Sequence, residues 1–517
     1  MRNPASLFII ITIVISLFSQ SCKQKENTGS NIPLDSMMIA PFFERYPAVK
    51  KYEKDLVVIY RTYNYEQIWF DKKGIVEYGI SLYSKAKDID DEGISTPFPY
   101  QKMIDEIFTN KRKQTLSDTD IELLLTSLYL FYVEKVYTGI DHKSTTMMGW
   151  LLPRKKVSYT GLLDSFISEN ELPDQDSLIL FSQYYKLREV LKRYRDIEAS
   201  GGWNSIDIDP DVKYYKPNDS ALAIQQIRDR LFSTADIAAN NGSNIYDAKL
   251  VAAVKKYQAR NGFKPDSLIS AEHIKSMNVP VNERIKIIVV NMERCRWISP
   301  QVFTAKEFLF VNIPAYEMKM FRDGNIVFDS PVVVGDSSTE TVIFGGKMSY
   351  IVFSPYWNLP KSIIEKEVIP GIEKNKNYLE KHNMEWNNGQ VRQKPGKNNS
   401  LGLVKFMFPN SNDIYFHDTP SKSAFNKENR AISHGCVRVQ KARELAITIL
   451  EDDKNWTPAK IDAAMNAGKE SIGTLKNKIP VHIGYFTSWV DEQGEINFYN
   501  DIYERDERLA VMMYYKD

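Results

Sequence analysis

The sequence predicts a multidomain α+β protein with an N-terminal all-helical scaffold, a small three-helix module and a mainly-β C-terminal domain. Three observations support this class. Residues 35–204 carry apolar residues at helical spacing, residues 205–292 repeat that spacing in short runs, and the chain beyond residue 300 changes to period-2 alternation. A chain of 517 residues is long enough for such a set of domains.

Composition narrows the function classes. The chain is 43% hydrophobic and 26% charged, which is typical of a globular protein. Its net charge of +1 provides no global field for nucleic acid, so we expect no nucleic-acid partner. An aromatic content of 12% exceeds what a disordered chain carries.

The N-terminus is predicted to be a signal peptide of the lipoprotein type, residues 1–21. Arg2 precedes an apolar run from Leu7 to Phe18, which is too short to span roughly 30 Å of hydrocarbon and fits a secretory signal. The small residue Ser21 and then Cys22 follow, and this order resembles a bacterial lipobox. We interpret Cys22 as the lipidated residue and residues 22–34 as a polar tether. Plain signal cleavage beside an incidental cysteine is the alternative.

The helical scaffold is assigned to residues 35–204. The stretch from Ile121 to Tyr137 is strongly apolar and lacks Gly and Pro, which predicts a buried helix, and a second helix is predicted from Leu178 to Ile197. Gly201-Gly202 breaks the pattern. No chemical motif lies in this region, which favours a structural role.

The module at residues 205–292 resembles the small three-helix peptidoglycan-binding domain. The resemblance rests on Tyr246-Asp247 and on the run from Leu250 to Gln258. Ser267 and Ser270 stand where that family usually has glycines. The resemblance implies the three-helix fold and binding to the cell wall, whereas the helical stripe by itself indicates only a core.

The predicted mainly-β domain covers residues 300–488. Phe308–Ile313 is predicted to be a strand, and the segments Glu317–Phe321 and Ile326–Phe328 flank a turn and predict a hairpin. Such strands suggest a β-sandwich or barrel. A polar insertion at 360–400 is interpreted as a lid or as a surface decoration. Residues 489–517 are predicted to form a terminal hairpin and tail.

The chemical motif is Ser433-His434-Gly435-Cys436-Val437-Arg438, with His417 upstream. Apolar residues at helical spacing follow Arg438 and predict that Cys436 lies just before the N-terminus of an amphipathic helix. The unpaired amides and positive dipole end of that helix would favour the thiolate. Either His417 or His434 would supply a base.

Three interpretations of this motif remain open on the residues alone. Cys436 is a nucleophile, with backbone amides around Gly435 and Cys436 as an oxyanion site. Alternatively Cys436 is a buried, inert thiol. In the third interpretation zinc is held by a set drawn from Cys436, His417, His434 and Asp418. Arg438 would anchor a substrate carboxylate or stabilise the loop, and Cys295 is expected to be a free packing residue.

The motif resembles the signature of the YkuD-type L,D-transpeptidases, and the match extends to their large YcbB-like branch. The segments that carry this wider resemblance are Pro355–Pro360, Lys394–Gly396, Leu401–Phe406 and His417–Pro420. The branch implies a helical scaffold, a peptidoglycan-binding module, a catalytic β-domain and a capping insertion, here residues 360–400.

The resemblance implies Cys436 as the nucleophile and His417 as its base. Supporting or oxyanion roles are implied for Ser433, His434, Gly435 and Arg438, and substrate contacts for Tyr356 and Trp357. No metal or organic cofactor is implied.

The implied reaction forms 3-3 cross-links in peptidoglycan through a cysteine acyl-enzyme, with release of a terminal D-alanine. The expected partners are stem peptides, as donor tetrapeptide and acceptor amine, and a membrane reached through the lipid anchor. The expected location is the periplasm-facing bacterial cell envelope. Alternatives are an L,D-carboxypeptidase or cross-link hydrolase, an enzyme that anchors proteins to the wall, and a non-catalytic wall-binding lipoprotein.

Overall fold

The computed structural model describes residues 33–109, 116–173 and 179–514. The predicted signal peptide, Cys22 and nearly all of the tether lie outside the described residues. Within the described ranges, no helix combines the length and the apolar character needed to cross a bilayer.

The N-terminal region is helical, as predicted. Its elements are α1 (Ile39–Arg45), α2 (Glu53–Thr62), β1 (Phe70–Asp71), β2 (Gly74–Ile75), α3 (Glu77–Lys87), α4 (Gln101–Phe108), α5 (Asp118–Val133), α6 (His142–Met147), β3 (Trp150–Leu151), α7 (Tyr159–Glu169) and α8 (Ser182–Ala199). Helix α5 is buried on all sides because apolar residues surround its axis. Its buried carboxylate, Glu122, accepts hydrogen bonds from the amides of Ile68 and Trp69. A π-helical turn, Glu134–Thr138, continues the predicted helix.

The next segment is a small helical unit with its own core. It contains β4 (Tyr214–Tyr215), α9 (Leu222–Ser233), α10 (Ala248–Arg260), β5 (Ile269–Ser270) and α11 (Ala271–Met277). Apolar residues from Ile206 to Met277 form a cluster separate from the main core. Ser267 adopts φ +63°, the left-handed conformation that glycine tolerates best, and the side chain of Ser270 caps α11.

Helix α12 (Val281–Trp297) joins the small unit to the rest of the chain. It packs against α8 and contributes Ile288, Met292 and Trp297 to the main core. Because α12 shares that core, it connects the helical scaffold to the β-domain that follows.

The C-terminal region is mainly β, as predicted. Its first strands are β6 (Glu307–Asn312), β7 (Glu317–Arg322), β8 (Asn325–Gly335) and β9 (Ile343–Phe353). Strands β7 and β8 form the predicted antiparallel hairpin. Alternate residues of β7 are buried because successive side chains point to opposite faces.

The insertion forms a separate small layer. It consists of β10 (Trp357–Asn358), α13 (Lys361–Ile363), α14 (Ile369–Lys374), α15 (Tyr378–Lys381), β11 (Met384–Asn387) and β12 (Gln390–Gln393). Strand β12 lies between β10 and β11 in a three-stranded sheet. Leu359, Ile363, Val368 and Val391 form a local apolar cluster under this sheet.

The remaining elements complete the β-domain and the C-terminus. They are β13 (Val404–Met407), β14 (Phe416–His417), β15 (Ala431–Ser433), β16 (Val437–Val439), α16 (Ala442–Leu450), α17 (Pro458–Met465), β17 (Ser471–Gly484), β18 (Ser488–Val490), β19 (Ile496–Phe498) and α18 (Arg505–Tyr514). The main sheet runs β13-β14-β16-β8-β7-β6-β17-β9, and β13 also pairs with β9. This last pairing closes the strands into a barrel. The terminal hairpin is present as β18 and β19, and a helix follows it.

Candidate active site

Cys436 lies in the short loop between β15 and β16, and the predicted helix does not start beside it. Val437–Val439 form a strand that pairs with β14 and β8, and the helix α16 begins only at Ala442. The prediction of a helix N-terminus at Cys436 is therefore wrong. The β-branched valines favour the strand, and no helix dipole acts directly on the sulfur.

Side chains from the barrel hold the carbonyl groups of this loop. The Ser433 carbonyl accepts from Thr339 Oγ1 at 3.0 Å, and the Gly435 carbonyl accepts from Thr341 Oγ1 at 2.8 Å. The Cys436 carbonyl accepts from Ser433 Oγ at 2.7 Å. The Ser433 hydroxyl thus holds the loop through this hydrogen bond. Thr341 has the same role, although sequence reasoning did not single it out.

The amides of the loop remain free to act as donors. Gly435 adopts φ +102°, where an L side chain is strained. In the part of the chain that the structure describes, the N–H groups of His434, Gly435 and Cys436 have no hydrogen-bond acceptor. Two or three such amides in sequence form the type of donor group that binds an oxyanion.

Strand pairing places His417 near the loop that carries Cys436. Strands β14 and β16 are parallel, with Phe416 beside Val437 and His417 beside Arg438. The Tyr415 ring lies 5.7 Å from the His417 ring, and its hydroxyl hydrogen-bonds to Cys436. The charge of Arg438 acts on both His417 and Cys436. The four side chains therefore form one cluster at the end of these two strands.

His417 is buried and held as a neutral base. Its Nδ1 lies 2.5 Å from the Asp418 carbonyl oxygen, which can only accept, so Nδ1 carries the proton and Nε2 has the lone pair. Burial, and then the positive charge of Arg438, lower the pKa of His417 to about 4. The imidazole is therefore uncharged at neutral pH and available to accept a proton.

Cys436 is half-buried, and burial raises the pKa of its thiol above the ordinary value. Hydrogen bonds from Tyr415 and the charge of Arg438 act in the opposite direction but do not overcome burial. The thiol donates weakly to the Asp413 carbonyl, with 3.7 Å between Sγ and O. The resting pair is thus a thiol and a neutral imidazole, contrary to the thiolate that the helix argument favoured.

Tyr415 links the sulfur to the insertion. Its hydroxyl hydrogen-bonds to Cys436 and also pairs with the side chain of Trp357, whose indole N–H can only donate. Burial raises the pKa of Tyr415, so the hydroxyl stays protonated and can donate to the sulfur. Sequence reasoning missed Tyr415. Its position two residues before His417, directly before β14, is the signal that could have revealed it.

Of the other predicted site residues, some reach the cluster around Cys436 and others do not. Trp357 reaches the cluster through Tyr415, whereas the ring of Tyr356 stacks under the Arg392 guanidinium at 4.0 Å and faces the insertion. His434 is exposed on the outside of the loop. The Tyr356 amide donates to Glu470 at 3.0 Å, which ties the start of the insertion to the barrel.

The zinc interpretation receives no geometric support. Asp418, one of the candidate ligands, uses its carboxylate to accept from Lys422 at 2.7 Å and from the Leu403 amide at 3.0 Å. Among the described residues, no group of three or more His, Cys, Asp or Glu side chains is arranged to hold a metal ion.

Two models of known protein domains match this chain. A model of the L,D-transpeptidase catalytic domain of YkuD type matches residues 306–463, and a model of a scaffold domain matches residues 54–191. Residues 306–463 are therefore similar to L,D-transpeptidase catalytic domains of YkuD type. The presence of both domains in one chain agrees with the resemblance found in the sequence.

A protein of Haemophilus influenzae, described provisionally as an L,D-transpeptidase, is 30% identical to this chain over 336 residues. The match covers 59% of this chain and 66% of that relative, so it spans just under two thirds of the relative's length.

Two solved structures are also similar. The L,D-transpeptidase of Stackebrandtia nassauensis is 14% identical and covers 54% of this chain and 96% of its own, with a TM-score of 0.22. That of Mycobacterium smegmatis is 10% identical and covers 35% and 58%, with a TM-score of 0.21.

Proposed function

We propose that this protein is a peptidoglycan L,D-transpeptidase that forms 3-3 cross-links through a thioester on Cys436. The observation that carries the proposal is that Tyr415 and Arg438 are neighbours of both Cys436 and His417, with His417 buried, neutral and oriented by the Asp418 carbonyl. The proposed substrates are two stem peptides of peptidoglycan, one as acyl donor and one as acceptor amine.

In the first step His417 Nε2 accepts the thiol proton as Sγ attacks the carbonyl carbon of the third residue of a donor tetrapeptide. The oxyanion that forms would be bound by the free amides of Gly435 and Cys436. The carbon–nitrogen bond to the terminal D-alanine then breaks. Protonated His417 returns its proton to the leaving amine, which leaves a thioester and free D-alanine.

In the second step an acceptor amine attacks the thioester carbon. His417 takes a proton from the amine, the carbon–sulfur bond breaks, and the sulfur regains its proton. The side-chain amine of a diaminopimelate on a neighbouring stem would give the 3-3 link. Attack by water would instead give a carboxypeptidase or hydrolase, and attack by a protein amine would anchor that protein to the wall.

Tyr415 and Arg438 would stabilise the sulfur as it gains negative charge. The Tyr415 hydroxyl donates to it, and the Arg438 guanidinium lowers its pKa. The Cys436 thiol and the neutral His417 imidazole need this stabilisation. Proton transfer to an imidazole with a pKa of about 4 is unfavourable unless the thiolate is stabilised.

The insertion is proposed to act as a lid over the site. Its strand β10 carries Trp357, which contacts Tyr415, so the insertion and the sulfur are already connected. Closing over bound peptides would exclude water and favour transfer over hydrolysis.

The test is incubation of the purified protein with disaccharide-tetrapeptides, followed by mass spectrometry. A 3-3 dimer, formed with one D-alanine released per link, is the expected product. Loss of alanine without a dimer would indicate the hydrolase, and no change with retention on isolated sacculi would indicate a non-catalytic wall-binding protein.

Two variants make the assay specific. Cys436→Ala is expected to abolish both dimer formation and alanine release. His142→Asn alters an exposed scaffold histidine and is expected to leave both unchanged. Dimer formation by Cys436→Ala at the normal rate would contradict the mechanism.

Location in the cell envelope is part of the same proposal. Lipidation of Cys22 would hold the protein at a membrane facing the periplasm, and the small unit at 205–292 would bind the wall. Metabolic labelling with a radioactive fatty acid tests the anchor, with Cys22→Ala as the variant that should lose the label.

A further inference from the structure

A cavity of about 680 Å³ lies where β9 and β17 of the barrel meet the scaffold. Volumes between roughly 300 and 1,000 Å³ are typical of small-molecule sites. Pro153 of the scaffold and His482 of β17 are among the residues that line it. The residues placed in the active site do not line this cavity, so it is a separate site.

The register between β9 and β17 determines which of their side chains line the cavity. In the antiparallel pair β9–β17, Gly345 is opposite His482 and Lys347 is opposite Pro480. Side chains at every second position share a face, so these four residues lie on one side of the sheet. Lys478 lines the same cavity, beside the irregularity in β17.

His482 points an unused hydrogen-bond acceptor into this space. Its side chain is only 8% exposed, and its buried Nδ1 has no partner among the described residues. The other ring nitrogen is left for the hydrogen bond to the Val302 backbone, which makes Nε2 the donor and Nδ1 the acceptor. A buried acceptor without a partner is costly unless a ligand or water satisfies it.

Gly345 keeps the approach to this nitrogen open. A Cβ placed on Gly345 would lie 3.4 Å from His482 Nδ1 and 3.7 Å from Pro153. An alanine would therefore fit without a clash, but its methyl group would cover the acceptor.

The mouth of the cavity is cationic. Lys347 and Lys478 are both exposed there, and neither forms an ion pair in the part of the chain that the structure describes. The lining contains no carboxylate, and Pro153 and Pro480 provide apolar surface between the lysines and His482. A matching ligand carries an anion at one end, an apolar body, and an N–H or O–H donor at the other end.

We propose that this cavity binds the free carboxyl end of a short peptide. The carboxylate lies between Lys347 and Lys478, and a peptide N–H donates to His482 Nδ1. Two sources share this chemistry, namely a cell-wall peptide that ends in a D-residue and the C-terminus of another protein, which ends in an L-residue. The proposal does not depend on the activity of Cys436.

The test is a titration of the purified protein, labelled with ¹³C at histidine Cε1, with N-acetyl-D-alanyl-D-alanine and with N-acetyl-L-alanyl-L-alanine. We expect a saturable shift of the His482 resonance, assigned by its loss in His482→Gln. Preference for the D,D or the L,L probe identifies the source. The methyl ester of the preferred probe lacks the anion and should bind about fivefold more weakly.

Variants locate the site. His482→Gln keeps a donor near the Nε2 position but removes the acceptor, and Gly345→Ala covers that acceptor; each should weaken binding about fivefold or more. Lys347→Ala combined with Lys478→Ala should weaken binding about fivefold, with a loss of salt dependence. Lys476→Ala, on the same strand but outside the cavity, is the matched control and should bind normally.

Three results would contradict the proposed binding site. Equal binding of acid and ester, no shift at His482, or unchanged affinity in Gly345→Ala would each refute the proposal. Cys436→Ala should bind the probe normally, so a failure of the catalytic proposal and a failure of this one are distinguishable.

Discussion

Cys436 and Cys295 are both free thiols, and burial raises the pKa of both, yet their surroundings differ. Cys295 lies fully buried on α12 beside Arg294 and Arg296, whose charges favour the thiolate but are outweighed by burial. Cys436 is half-buried and has Tyr415 and Arg438 as neighbours in common with His417. The comparison teaches that positive charge is common to both thiols, whereas a neutral imidazole nearby and partial exposure are found only at Cys436.

The largest contrast should appear in alkylation by iodoacetamide. Cys436 is expected to react at least about 10⁴-fold faster than Cys295, because Cys295 becomes accessible only when the core opens. Mass spectrometry of tryptic peptides at timed intervals measures both rates. Similar rates for the two thiols would break the comparison.

Removal of the base should have the next largest effect. His417→Asn keeps an N–H that can donate to the Asp418 carbonyl but lacks the Nε2 acceptor, so cross-linking should fall about 10³-fold. The His142→Asn control should retain full activity. An active His417→Asn protein with normal folding would point to His434 as the base.

The pH profile tests the protonation states of the pair. Because the pKa of His417 is lowered to about 4, activity is expected to be flat from about pH 5 to about pH 8. Below about pH 4 it should fall tenfold per pH unit as His417 becomes protonated. In His417→Asn, alkylation should instead rise tenfold per pH unit towards the raised pKa of Cys436, since only the free thiolate reacts. A flat profile in that variant would contradict this account.

Tyr415→Phe should have a moderate effect. The variant keeps the ring and its packing but loses the hydroxyl that donates to the sulfur, so cross-linking is expected to fall about tenfold. Trp357→Phe removes only the donor to that hydroxyl and should cost less. If Tyr415→Phe matched wild type in a single-turnover measurement of thioester formation, the hydroxyl would have no role in activating the sulfur.

The smallest effect on activity is expected for Cys295→Ser. Burying a hydroxyl in the main core should lower the free energy of unfolding by about 1–3 kcal/mol, while the kcat of the folded protein stays unchanged. Urea denaturation measures the first quantity and the muropeptide assay the second. A loss of kcat without a loss of stability would show that Cys295 takes part in the chemistry.

Local patterns in the sequence predicted much of this molecule. The period-2 alternation of Glu317–Phe321 gave the hairpin, and the apolar run from Ile121 gave the buried helix α5. The helix predicted directly after Cys436 was wrong, because Val437–Val439 pair with strands that are distant in sequence. The β-branched Val437 and Val439 favour a strand locally, but their pairing partners cannot be read from the neighbouring sequence.

The same limit applies to the site. The motif singles out Cys436 and His417 as candidates, but the loop supports Thr339 and Thr341 come from a different part of the barrel. The raised pKa of Cys436 depends on three-dimensional burial, which residue spacing does not encode.

Strand β10 belongs to the sheet of the insertion, while the indole that it carries bonds to Tyr415 beneath. A movement that opens the insertion would separate the Trp357 indole from the Tyr415 hydroxyl. That hydroxyl is the group that donates to the Cys436 sulfur. For the proposed mechanism, opening of the insertion to admit a substrate would therefore also weaken the hydrogen bonding that activates the sulfur.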